Sequence, residues 1–166
     1  MKRLLTAATF LCISQFLVGC VAGQPVEWQK AGPLDLAKGA RVSVDCECEM
    51  PKGDLVYLES DIERNVREVL RGDPDAPDAY DVNVVITRYD EGDAFARFML
   101  IGLGQMYLYG TVEVKHNSPT DVVRKGLFHK NYCLGGLLGC MATMRENVLP
   151  KVGPAIAEAI AEEPDE

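Results

Sequence analysis

Histidine and tryptophan are scarce in this sequence, and their scarcity narrows the classes of function. The 166 residues include two His and one Trp. His116 and His129 stand near predicted strand ends among Lys residues, so we expect both to be solvated rather than catalytic. The serines lack the context of a nucleophile elbow, and no two carboxylates share an apolar frame that would separate their pKa values. The sequence therefore predicts a protein that is not an enzyme.

Basic residues are also few. Lys and Arg together number 17 against 25 Asp and Glu, and the formal net charge is −8. This balance argues against nucleic acid, whose binding depends on neutralising phosphates, and against electrostatic attachment to anionic lipid. Gly102 and Gly104 precede a predicted strand, whereas a dinucleotide-binding loop follows a strand and opens a helix. We expect no cofactor beyond the covalent lipid described next.

The N-terminal apolar run is too short to span a membrane. Leu4 to Val18 falls below the roughly 20 residues that a spanning helix needs, and it follows the positive Lys2 and Arg3. The run ends in Leu17-Val18-Gly19-Cys20, which resembles the bacterial lipobox. The resemblance implies a lipoprotein signal peptide over residues 1–19 and a diacylglycerol thioether on Cys20. The alternative is an ordinary secreted protein with a Cys near its N-terminus.

Location and domain organisation follow from the predicted cleavage. By resemblance to Gram-negative lipoproteins, Val21 after the lipidated Cys favours the outer membrane, with the protein on its periplasmic face. Cleavage leaves 166 − 19 = 147 residues, which fits one domain. We assign residues 20–38 to a tether, 39–162 to a single domain and 163–166 to an acidic tail. Trp28 lies in the tether, and we expect it to dock on the domain.

Hydrophobic periodicity predicts the fold class. Apolar residues alternate along Ala40 to Met50, and again in two strands between Tyr80 and Lys115. Helical spacing marks Asp54 to Arg71 and a closing helix from Asn147 to Ala161, in which the prolines place the regular part near Pro154. Val122 to Lys130 alternates poorly and is a fourth candidate strand. The sequence therefore predicts an α+β domain, with a mostly antiparallel sheet of about four strands and two helices packed on one face.

Four cysteines remain after Cys20 in the predicted mature chain: Cys46, Cys48, Cys133 and Cys140. In an oxidising periplasm, an even number of cysteines indicates disulfides. The Gly-rich segment around Cys133 and Cys140 could meet the first strand, where two cross-links would join them, and closing a loop of several tens of residues in this way would contribute about 3–4 kcal/mol. The alternative is a soft-metal-binding or thiol-redox protein that uses the same four sulfurs.

The connection between the two central strands is unusually apolar for a hairpin. It can fold back over the sheet and cap the core, or it can contact a partner or a membrane. The residues that we predict for such contact are Phe95, Phe98, Met99, Ile101 and Leu103, with Arg97 orienting the segment. On this basis we expect a lipid-anchored envelope protein that binds or assembles a periplasmic or outer-membrane partner, or further copies of itself.

The run from Ile86 to Gly104 resembles the bacterial lipoproteins of the domain of unknown function 4410 type. Those proteins have a lipobox, a strand ending in an acidic Gly turn, an Arg and a Gly-x-Gly before the next strand. The resemblance covers roughly Val42 to Ile160 by element order. The architecture is also distantly similar to the curli-secretion lipoprotein fold, which implies assembly in the periplasm. The family has no assigned chemistry.

Overall fold

One sheet with helices on one side forms the protein. The computed structural model describes residues 26–99, 104–116, 121–132 and 141–163, without the side chain of Arg97. The strands are β1 (Glu27–Ala31), β2 (Ala40–Cys46), β3 (Tyr80–Asp90), β4 (Met106–His116) and β5 (Val122–Tyr132). The helices are α1 (Lys52–Val69), α2 (Ala94–Met99), α3 (Met144–Asn147) and α4 (Val152–Ala161), with a 3-10 turn at Leu149–Lys151 before α4. None of the helices in the described ranges is long and apolar enough to cross a membrane.

The sheet is mixed, with the order β1-β5-β4-β3-β2. β2 and β3 are parallel, because α1 carries the chain back between them, and the other neighbours are antiparallel. The α+β class is confirmed, and the residues that the structure describes form five strands where about four were expected. The fifth is β1, inside the segment that we had assigned to a tether. Of its five residues only Trp28 is partly buried, so no alternation marked it as a strand.

The core lies between the sheet and the helices α1 and α4. Leu58, Ile62 and Val66 of α1 are fully buried, and so are Ile156 and Ile160 of α4. They pack against the inward-facing residues of the three central strands: Tyr80, Val82, Val84, Ile86, Met106, Leu108, Val112, Val114 and Phe128. The two expected helices therefore pack on one face, and α2 and α3 are additional short helices.

Local chemistry explains where the elements differ from their predicted bounds. The strand predicted from Ala40 to Met50 is β2. It ends at Cys46, because a disulfide between Cys46 and Cys48 turns the chain there. The poorly alternating Val122 to Lys130 is confirmed as strand β5. Its pattern is weak because the inward position 126 holds a glycine, whose added Cβ would meet Val26 at 2.5 Å and Trp28 at 2.8 Å.

Arg124 is a second inward-facing residue of β5 that interrupts the apolar pattern. Its side chain is 2% exposed and donates to the carbonyl oxygens of Gly32 (2.7 Å), Ala159 (3.1 Å) and Ile160 (3.1 Å). The Trp28 indole lies 5.6 Å from the guanidinium and donates to the Ala159 carbonyl at 3.3 Å. The expected docking of Trp28 is confirmed. A buried cation thus satisfies carbonyls in the last turn of α4 and joins β1, β5 and α4.

Candidate functional site

The face of the sheet opposite the helices carries an aromatic row, and a β-bulge in β3 brings Arg88 to it. The β3–β4 register shifts between Ile86 and Arg88, so Ile86 pairs with Gly110 while Arg88 pairs with Tyr109. One extra residue inverts the alternation of a strand. Arg88 therefore lies on this open face with Tyr109, and Tyr89 turns toward the helices instead.

Four side chains make up the aromatic row: Arg88, Tyr107, Tyr109 and His129. The Arg88 guanidinium lies 4.6 Å from the Tyr107 ring centroid and 5.4 Å from that of Tyr109. Tyr109 meets Tyr107 and His129 edge-on, with ring centroids 5.9 and 6.0 Å apart. Arg88 also donates to Asp90 at 2.8 Å, and this bond, with the Gly92 backbone N–H, lowers the pKa of the Asp90 carboxyl. Cation–π contacts and an ion pair thus fix the row in one arrangement.

A shallow cleft of about 420 Å³ lies beside the aromatic row. Thr87, Tyr109, Leu127 and His129 line it, and Leu127 is 41% exposed. The outward side of α1 is instead rich in charge, with an ion pair between Glu63 and Arg67. Of the two broad faces, the open sheet face therefore offers the more aromatic and apolar surface.

A second cleft, of about 350 Å³, lies at the end of the sheet where β3 turns into β4. Asp54 at the start of α1 accepts from the Tyr89 hydroxyl at 2.7 Å and from Arg145 at 3.3 Å. Glu91 lies 2.8 Å from the same hydroxyl, which has one proton and donates it to one carboxylate at a time. Burial first, and then both carboxylates, raise the pKa of Tyr89. Tyr89 is therefore held as a donor, and the cluster joins β3, α1 and α3.

Three of the predicted contact residues, Phe95, Phe98 and Met99, lie on α2. The side chains of Phe95, Phe98 and Met99 are 72%, 47% and 58% exposed. These three side chains therefore do not cap the core, which was one of the two roles predicted for this connection. The side chain of Arg97, and Ile101 and Leu103, lie outside the described residues. Met141, which we had not singled out, is 70% exposed and lines the second cleft together with Ala94.

The cysteines pair differently from the expected staple. Cys46 is joined to Cys48, so neither can cross-link to the Gly-rich segment. The earlier expectation is therefore wrong for these two sulfurs, because neighbours two residues apart at a strand end are already within reach of each other. A four-thiolate site would need this disulfide reduced. Cys20, Cys133 and Cys140 lie outside the described residues, and within those described no three His, Cys, Asp or Glu side chains are grouped to hold a metal.

These observations define an α+β protein with a single mixed sheet, one face covered by helices and the other open. No protein-family model and no curated protein sequence matches the chain. The fold is similar to that of PelC from Paraburkholderia phytofirmans, solved as a dodecamer: 17% identity and a TM-score of 0.52 over 82% of this chain and 98% of that one. A single-substitution variant of the same dodecamer gives 16% identity and a TM-score of 0.55 over the same shares. The resemblance to the domain of unknown function 4410 stays a prediction.

Sequence reasoning missed the aromatic row and the cluster around Tyr89. The predicted alternation already placed Tyr107 and Tyr109 on the outward face, but the bulge that brings Arg88 beside them leaves no signal in hydrophobic periodicity. The cluster joins positions 54, 89 and 145, which are distant in the sequence. An acidic residue at the start of a helix and a Tyr near the end of a strand are common in sequences, so Asp54 and Tyr89 did not indicate this cluster.

Proposed function

We propose that this protein is a lipid-anchored, non-enzymatic subunit of a homo-oligomeric assembly on the periplasmic face of the outer membrane. The observation that carries the proposal is the similarity to PelC, which covers 98% of a chain that was solved as a dodecamer. The lipobox supports the anchor.

The open sheet face is the surface that we propose for contact between copies. Cyclic assemblies join two different surfaces of one chain, and such contacts are enriched in Tyr, Arg and apolar residues. The aromatic row supplies Tyr107, Tyr109 and Arg88, and Leu127 stands exposed beside it.

Native mass spectrometry of the mature protein, extracted in mild detergent without reductant, tests the proposal. We expect a mass that includes acyl chains and a discrete species of several copies. Leu127→Lys should dissociate that species, because it places a charge within the contact. Val56→Lys is the matched control, since Val56 is 64% exposed on α1, and it should alter assembly less.

Two results would count against the proposal. A wild-type protein that stays monomeric at every concentration would remove the assembly. A mature protein without acyl chains would remove the anchor, whatever its oligomeric state. If Val56→Lys dissociates the copies and Leu127→Lys does not, the assembly stands but its contact lies on α1.

A further inference from the structure

The hairpin end of the domain exposes several large apolar side chains. They are Phe95, Phe98 and Met99 of α2, together with Met141, and we call this set the hairpin patch. Their exposed fractions run from 47% to 72%. Ala94, at the start of α2, and Met141 line the same cleft, so the two parts of the patch are neighbours. Single exposed apolar residues are ordinary, but four large ones at one end of a domain mark a contact surface.

The direction of β1 links this end to the predicted anchor. β1 is antiparallel to β5, with Glu27 opposite Leu127 and Ala31 opposite Arg124. The chain before Glu27 therefore leaves the sheet toward Tyr132, which pairs with Met106. Met106 is the first residue of β4 after the connection that contains α2. β1 therefore begins toward the end of the domain that carries the hairpin patch.

The covalent reach of the chain agrees with that direction. Leu127 lies five residues from Tyr132, or about 17 Å along a strand. Cys20 precedes Glu27 by seven residues, which span at most about 25 Å. Acyl chains on Cys20 can therefore enter a bilayer that the hairpin end faces, without any rearrangement of β1.

We propose that the hairpin patch inserts into the interfacial layer of the leaflet that holds the acyl chains. This inference rests on the anchor in the proposed function. Aromatic and long apolar side chains on a short amphipathic element are suited to the boundary between headgroups and acyl chains. The patch then fixes the orientation of the domain on the membrane, because it adds a second point of attachment to the acyl chains on Cys20.

Charge around the patch selects the kind of lipid. Asp90, Glu91 and Asp93 precede α2, and Asp90 is already paired with Arg88. Asp93 accepts from the Ala96 N–H at 2.8 Å at the start of α2, so its acidic charge lies beside the patch and disfavours a strongly anionic surface. The expected occupant is therefore a leaflet composed mainly of zwitterionic phospholipid, and apolar contact carries the binding.

Vesicle flotation of the full mature chain with Cys20→Ser isolates the patch from the acyl chains. We expect this chain to float with phosphatidylethanolamine–phosphatidylcholine vesicles and to bind less to vesicles rich in phosphatidylglycerol. Adding Phe95→Ser and Phe98→Ser should lower the partition coefficient about ten-fold or more, since burying one such ring is worth at least a factor of ten. Val56→Ser on α1 is the matched control and should change it less than two-fold.

Each other outcome contradicts the proposal in a distinct way. No flotation of the Cys20→Ser chain, or an equal loss in the Val56→Ser control, means that the patch does not bind lipid. Unfolding of the Phe variant, read by far-UV circular dichroism, means that the patch is core. Loss of oligomers with unchanged flotation assigns the patch to a second copy. The assay uses an unacylated chain, so failure here is separate from a missing anchor on the wild-type protein.

Discussion

Gly153 is the position at which one added methyl group tests how α1 and α4 pack. A Cβ there would lie 2.5 Å from Oδ2 of Asp61, 2.8 Å from the side-chain nitrogen of Asn65 and 2.9 Å from the backbone oxygen of Asp61. Replacing Gly with Ala inside a helix ordinarily stabilises a protein by about 1 kcal/mol. Overpacking costs about 1–3 kcal/mol, and here one of the close atoms is backbone and cannot rotate away. The steric cost should therefore lie at the upper end of that range, about 2–3 kcal/mol, and after subtracting the helix gain we expect Gly153→Ala to lower the free energy of unfolding by about 1–2 kcal/mol.

Urea denaturation followed by circular dichroism measures this change, and Gly53→Ala is the control. Gly53 also lies in a helix, α1, but a Cβ there would meet only an Arg145 nitrogen at 3.6 Å, an ordinary contact. We expect Gly53→Ala to leave stability unchanged or to raise it by up to about 1 kcal/mol. A Gly153→Ala protein as stable as wild type, or more stable, would refute the packing argument.

A double-mutant cycle with Asp61→Ala identifies the cause. Oδ2 of Asp61 is buried and accepts no hydrogen bond from the described residues, while Oδ1 accepts from Arg64. Removing this side chain removes the atom closest to the new methyl group. The cost of Gly153→Ala should then fall by about 1 kcal/mol, because residues in contact are coupled. Independent, additive effects would show that the methyl group acts elsewhere.

Three further predictions concern the sheet and its turns. Arg124→Met should cost about 3 kcal/mol, because carbonyls of Gly32 and α4 lose a buried charged donor; an unchanged urea midpoint would contradict this. Replacing Cys46 and Cys48 together with Ser should cost only about 1.5 kcal/mol by thermal melting, because the ring that they close spans three residues; a loss near 4 kcal/mol would indicate a longer cross-link. Lys125 and Lys115 lower the pKa of Glu113 below its ordinary value of 4.5, so its stabilisation is complete above that value and is lost as the pH falls through the lower folded pKa. Glu113→Gln should therefore flatten the fall in stability from about pH 5 to about pH 3, by less than about 1 kcal/mol, and an unchanged profile would count against the ion pairs.

Periodicity predicted the elements that bury one face against the helices. Val82, Val84, Val112 and Val114 are all fully buried, and the two-residue period reports that burial directly. Helix α1 begins and ends two residues before its predicted bounds. The prediction was this close because the apolar stripe of the helix is uninterrupted. These features depend on the local pattern alone.

The remaining features depend on contacts between distant residues. β1 is too short and too exposed to show alternation, and only pairing with β5 defines it. The bulge after Ile86 changes which face Arg88 occupies without any change in composition. The disulfide between Cys46 and Cys48 competes with every longer pairing, and sequence alone does not decide the connectivity of four cysteines.

The way in which β1 joins the sheet determines how the domain responds to mechanical load. A pull on an anchor at Cys20 acts along the axis of β1, toward the Tyr132 end, and so loads the β1–β5 hydrogen bonds in shear. Hydrogen bonds loaded in shear break together rather than one after another. The contacts of Arg124 with Gly32 and of Trp28 with Ala159 also hold β1 in place. Release under force is governed by the rate of unfolding rather than by equilibrium stability. If Cys20 carries the proposed anchor, β1, which the sequence assigned to a tether, is the element that would transmit tension to the core.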